Sequence, residues 1–80
     1  GGEKEQGEYG WLRVNSSPFS AISIDGHDTS LTTPVMKHRI STGKHTITLR
    51  NHRYGCEGTY DITVSAGQTA VLVKRLECDK

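Results

Sequence analysis

Apolar and polar residues alternate through most of this chain. In YGWLRVNS, residues 9–16, Leu12 and Val14 fall on one face of a strand, with Trp11, Arg13 and Asn15 on the other. FSAISIDG, residues 19–26, puts Ile22 and Ile24 inward and Ser23 and Asp25 outward. A shorter segment, PVMKHRIS, has Val35 and Ile40 as its apolar ends. KHTITLRN alternates Ile47 and Leu49 with Thr46, Thr48 and Arg50, and TYDITVS alternates Tyr60, Ile62 and Val64 with Thr59, Asp61 and Thr63. The last segment, QTAVLVKRLE, is almost continuously apolar from Ala70 to Val73. A period of two marks strands that bury one face, and nowhere does the helical period replace it. Thr, Val, Ile and Tyr also suit a pleated surface.

The segments are separated by turn residues. Asp25-Gly26 closes the second, Ser41-Thr42-Gly43-Lys44 joins the third to the fourth, and Ser65-Ala66-Gly67-Gln68 joins the last two as a hairpin. Short strands at intervals of about 8–12 residues predict an all-β sandwich or barrel, read here as a small antiparallel sandwich of two sheets with six to seven strands. Its fold class is immunoglobulin- or transthyretin-like, with the alternating Ile, Leu and Val sets buried between the sheets. No repeat of domain-array length is present.

Length then limits function. Eighty residues make one domain with a thin core, which leaves little room for a deep, water-excluding pocket. A formal charge of +1 is no nucleic-acid footprint. No apolar run is long enough to span a bilayer as a helix. The start, GGEKEQGEYG, is Gly- and Glu-rich, so residues 1–8 read as a disordered linker or a cloning remnant, and residues 9–78 as the single domain. No signal sequence is visible, which a piece of a longer protein would lack in any case.

Cys56 and Cys78 flank the last two strands. A hairpin folded about Gly67 sets Ile62 opposite Leu72, Val64 opposite Ala70, and Cys56 opposite Cys78. A facing pair meets the geometry of a disulfide. Closing that loop is worth on the order of 3 kcal/mol in the chain-entropy picture, a large share for a thin core. It would also place the domain in an oxidising compartment. The competing reading is two unpaired thiols in a cytosolic protein. Metal binding fits neither the spacing nor the number of cysteines.

Four histidines, His27, His38, His45 and His52, form no tight cluster with carboxylates, and solvated surface histidines are the plainer reading. A nucleophilic set of His52, Cys56 and Asp61 is poorly placed, since all three lie on one strand and its loop. Cys56 is better explained by Cys78. The chain therefore reads as a non-enzyme with no cofactor and no metal. Asn15-Ser16-Ser17 matches the N-glycosylation acceptor, a pattern frequent by chance.

Lys37, His38, Arg39, Arg50, Arg53, Lys74 and Arg75 stud the strand faces and turns. They read first as solvated charge that blunts sheet edges, and second as a patch for an anionic protein or glycan. Trp11, the single tryptophan, either anchors a partner or covers the end of the core. His27 and Asp28 are expected on an exposed loop tip. Trp11, His27, Asp28, Arg50 and Arg53 are thus the candidate partner-binding residues.

The run GWLRVNSSPFSAISIDG resembles the start of PEGA domains, small β-sandwich modules of bacteria and archaea. Gly10, Ser17, Pro18, Ala21, Ile24, Asp25 and Gly26 fit that pattern. The Thr33-Pro34 pair, the Gly-x-His opening of GKHTITLRN and the AGQT turn at Ala66–Thr69 follow in the family's order. The likeness runs from about Gly10 to Leu76. It departs where the naming letters read Pro18-Phe19-Ser20-Ala21, and where Leu31 replaces a glycine in a loop that looks slightly long after Gly26. Tyr54-Gly55 is reversed, and the cysteine pair lies outside the pattern.

The resemblance implies a non-catalytic, extracytoplasmic module of a larger, membrane-anchored bacterial protein, in the periplasm or on the cell surface. GKHTITLRN and AGQT look most like copies at the tails of bacterial serine/threonine kinases. Such a module would bind or position an envelope protein or a cell-wall or glycan ligand through its loops and an open sheet edge. It would be a monomer in isolation, would not itself span the membrane and would bind no nucleic acid. The alternative is a purely structural spacer.

Overall fold

A computed structural model describes residues 8–79. Apart from Glu8, the expected N-terminal linker lies outside the described residues. Seven strands form: β1 (Tyr9–Ser17), β2 (Ala21–Ile24), β3 (His27–Thr32), β4 (Val35–Ser41), β5 (Gly43–Asn51), β6 (Cys56–Val64) and β7 (Thr69–Arg75). They make a three-stranded sheet ordered β4-β1-β7 and a four-stranded sheet ordered β3-β2-β5-β6. No helix among the described residues is long and apolar enough to cross a membrane.

The alternating residues meet between the sheets. Leu12 and Val14 of β1, Ile22 of β2, Ile40 of β4, Ile47 and Leu49 of β5, Val64 of β6 and Leu72 of β7 are all buried. Burying such a side chain contributes about 1.5–3 kcal/mol, so this set supplies the main driving force for closing the sandwich.

Two expectations are corrected. His27–Thr32 is not a loop but the edge strand β3, joined to β2 by the two-residue turn Asp25-Gly26. Both turn residues have positive φ, 52° and 83°, which is the turn type that matches the twist of a hairpin. The apparent extra length after Gly26 is a bulge that inserts Thr29 and Ser30 between the Asp28 and Leu31 pairings. The Asp28 and Thr29 side chains satisfy the displaced amides of Ser30 and Leu31.

The last two strands are not a hairpin. β6 and β7 lie in opposite sheets, and β7 pairs in parallel with β1, from Trp11 beside Thr69 to Ser17 beside Arg75. Packing gives the reason. A hairpin would set Ile62 and Val64 beside Ala70 and Leu72 on one sheet face, whereas an arch lets the two sets face each other across the core. The corner at residues 65–68 is held against β1 by the Trp11 amide on the Gln68 carbonyl (2.8 Å) and the Gly67 amide on the Tyr9 carbonyl (2.9 Å). Gly10 permits this approach, since a Cβ there would stand 2.6 Å from the Ser65 and Gln68 carbonyl oxygens.

The Cys56–Cys78 disulfide is present all the same, with Cα atoms 4.0 Å apart. β6 and β7 leave the corner together, so residues equally far from it arrive at the same height in an arch or a hairpin. Cys78 bridges back to Cys56, and the Asp79 amide donates to the Gly55 carbonyl (3.0 Å), which closes that end of the sandwich.

Candidate functional site

The two sheets differ in charge. β1, β4 and β7 carry Arg13, Lys37, Arg39, Lys74 and Arg75 and not one Asp or Glu. The acidic strand residues Asp28, Glu57 and Asp61 all belong to the four-stranded sheet, as does the turn residue Asp25. A chain of near-zero net charge therefore presents one positive sheet, with a long-range field that its total hides.

The outer face of that sheet is built by period two. Tyr9, Trp11 and Arg13 of β1 point away from the core because Leu12 and Val14 point into it. Register sets Arg39 of β4 beside Trp11, and the cations reach diagonally along the strands. The Arg39 guanidinium lies 4.0 Å from the Tyr9 ring centre, and the Lys37 ammonium 4.4 Å from that of Trp11. The two rings meet edge to face with centroids 5.5 Å apart. This ladder of cation, ring, ring and cation ties four long side chains together along the outer face, each cation–ring contact being worth about 0.5–1 kcal/mol. On the other side of β1, Val71 and Val73 of β7 remain 60% and 65% exposed. The face thus offers aromatic rings, aliphatic surface and fixed positive charge together. These are the components of a protein-binding surface, where aromatics and Arg dominate.

The other candidate residues are spread elsewhere. His27 and Asp28 begin β3, at the turn end of the four-stranded sheet. Arg50, at the opposite end of β5, donates to Glu57 at 3.0 Å, and this contact raises its pKa. Arg53 lies in the β5–β6 turn beside the Tyr54 ring. Arg50 also lines an open cleft of about 500 Å³ by the disulfide, together with His52, Glu57, Glu77 and Asp79. Trp11 is on the outer sheet face rather than at the end of the core, so the five candidates occupy three separate places.

The histidines have distinct settings. The His45 ring spans Asp25 at 2.6 Å and the Ser41 carbonyl at 2.8 Å, which pins the β2–β3 turn to β5. The Asp25 carboxyl is held below its ordinary pKa by the Thr46 amide first and by His45 second. His38 is half-buried on β4 beside Leu12, and His52 is exposed in the β5–β6 turn. Among the described residues no three His, Cys, Asp or Glu side chains are grouped to hold a metal ion.

Tyr9, Val71 and Val73 were not singled out from the sequence. Tyr9 shares the face of Trp11 by alternation alone, and the acid-free stretches Tyr9–Ser17, Val35–Ser41 and Thr69–Arg75 were there to be noticed. The outward valines were hidden inside an apolar run that looked like core.

No curated protein and no solved structure gives a match to the chain. The sequence model of the PEGA domain matches residues 9–79, nearly the whole chain, so this protein belongs to the PEGA domain family of non-catalytic, extracellular modules of larger proteins.

Proposed function

We propose that this chain is the binding module of a larger, membrane-anchored bacterial protein, and that it engages an envelope partner through the outer face of β4-β1-β7. The observation that carries this reading is the charge segregation: Arg13, Lys37, Arg39 and Arg75 on the outer side of three adjacent acid-free strands, with Tyr9 and Trp11 clamped between Arg39 and Lys37, while Lys74 turns the other way over the Tyr60 ring. A spacer needs a rigid body but gains nothing from such a face. The disulfide supports an oxidising location outside the cytoplasm. The likeness of GKHTITLRN and AGQT to kinase-tail copies supports a sensory role at the end of a membrane-bound kinase.

The test is retention of envelope components by the immobilised chain and by a Lys37→Glu/Arg39→Glu variant. The expected result is a partner held by the parent, released by salt and lost from the variant. Nothing retained, or equal retention by both, overturns the reading in favour of the spacer.

A further inference from the structure

Among the described residues, four strands stand at sheet edges: β3, β4, β6 and β7. Exposed edges template pairing with other chains, and proteins blunt them with bulges, charges, proline or a covering segment. Three of these edges carry a bulge or a covering segment, whereas β7 has charge alone, Lys74 and Arg75 at its end. β3 is bulged at Thr29 and Ser30. β4 has an extra residue between Val35 and His38, follows Pro34, and carries Lys37 and Arg39. β6 is covered at its start, where Cys78 bridges to Cys56 and the Asp79 amide bonds to Gly55.

β7 has no bulge. Its register with β1 is unbroken over seven residues, and Thr69–Arg75 contains neither proline nor glycine. The ladder begins with the Trp11 amide on the Gln68 carbonyl and ends with the Leu76 amide on the Ser17 carbonyl. In a regular parallel ladder, alternate residues of a strand bond to its neighbour. Between those two bonds, the even-numbered residues of β7 serve β1. The amides and carbonyls of Val71 and Val73 therefore point to the free edge. The same two residues leave their side chains exposed on the outer face.

We infer that β7 is a strand-addition edge, and that its occupant is an extended, acidic polypeptide segment of a partner protein. This inference rests on the binding reading above and names the partner's chemistry. Backbone pairing would supply affinity, while the added strand's outward side chains would meet Val71, Val73 and Arg75. The partner's charge follows from the sheet it joins, whose outward cations Arg13, Lys37, Arg39 and Arg75 face no acid on the same strands. A second copy of this chain would bring that positive sheet against itself, so the charge argues for a foreign, acidic strand.

The experiment uses the 80-residue chain, disulfide intact, and a short synthetic peptide alternating Glu with Val and Thr. The expected result is binding that slows amide exchange at Val71 and Val73 and is abolished when the peptide's Glu residues become Lys. Val73→Pro removes a free-edge donor but no bond to β1, so circular dichroism should show an intact fold while peptide affinity falls at least about tenfold. Should that variant not fold, Arg75→Glu serves in its place, with the same expected direction.

Unchanged peptide affinity in the substituted chain overturns the inference, as does protection gained at other amides. Protection of Val71 and Val73 in a concentration-dependent dimer without peptide assigns the edge to a second copy and overturns the acidic-strand occupant. Equal binding of polyphosphate or of phosphatidylglycerol vesicles with no amide protection also overturns it, while leaving the charged face as a binding surface. Loss of envelope retention in the Lys37→Glu/Arg39→Glu variant reports on that face separately, so the two readings fail by different results.

Discussion

Cys56, the first residue of β6, is bonded to Cys78, beyond the end of β7, although these strands belong to opposite sheets. The bond joins the two layers at the end away from the 65–68 corner. The sandwich is thus tied at both ends of its β6–β7 segment, by the chain at one and by sulfur at the other. Cys56 is buried with the core, so the link also fixes the last residues of the chain against it. Replacing both cysteines by alanine should lower unfolding free energy by on the order of 3 kcal/mol, read from urea unfolding as a lower midpoint with a slope that rises as the unfolded chain expands. The parent treated with reductant should move the same way. A midpoint that reductant leaves in place would mean that the closed loop adds no stability.

Gly10 is where β1 passes the corner, and a side chain has no room there. The atoms a Cβ would meet include the Ser65 and Gln68 carbonyl oxygens, which are backbone and cannot rotate away. Gly10→Ala should therefore cost at least about 2 kcal/mol, by prying the β6–β7 corner from β1. Gly26→Ala offers the comparison, since nothing stands near its Cβ and only its φ of +83° resists. That substitution should cost about 1–2 kcal/mol. Chemical denaturation of both variants checks the order, and a milder effect at Gly10 than at Gly26 would contradict the corner contact.

The sequence made strands legible wherever one face is buried. Leu12, Val14, Ile47 and Leu49 alternate with polar residues because they line the core, and each is essentially inaccessible. β3 escaped because HDTSLT has only Leu31 to signal an inward face, and its bulge breaks the period. The Asp25-Gly26 pair was the stronger clue, being a hairpin turn rather than a strand end. The partner of β7 was not legible at all. Period two states which side chains face inward, and it is the same whether a strand pairs with β6 or with β1. The disulfide survived that error because counting outward from Gly67 measures height along the sandwich. Trp11 was visible as an anchor, but its clamp required the register of β1 on β4, which no single strand encodes.

Asp25 gives the fold a defined acid limit. Its carboxyl accepts the Thr46 amide at 2.8 Å and faces the His45 ring at 2.6 Å, and both contacts lower its pKa in the folded chain. A depressed folded value means that the unfolded chain takes up the proton first as pH falls. The contribution is thus fully present above the unfolded value of about 3.9 and is lost as pH drops through the folded one. Asp25→Asn can still accept from Thr46 but carries no charge. The stability gap between parent and Asp25→Asn should shrink below about pH 4 and close in stronger acid. Urea unfolding across that range measures it, and a gap that does not change would show that the charge contributes nothing.

Asn51 is the buried polar residue whose loss should reach furthest. It ends β5 at 3% exposure, where its side-chain amide donates to the Phe19 carbonyl at 2.7 Å and its oxygen accepts the Tyr54 amide at 2.9 Å. One side chain thereby fastens the β1–β2 link and the β5–β6 turn to the same strand end. Both partners are backbone groups that a hydrophobic replacement cannot satisfy. Asn51→Ala should cost about 2–4 kcal/mol, the desolvation of two unpaired groups rather than the worth of two bonds. Asn51→Asp keeps the acceptor for Tyr54 but sets a carboxylate against the Phe19 carbonyl, so it should be destabilised as well, and less so at low pH, where a protonated carboxyl can donate. Urea titrations of the three chains at neutral and acid pH separate these effects. If alanine is tolerated as well as an exposed substitution, Asn51 does not hold the two connections together.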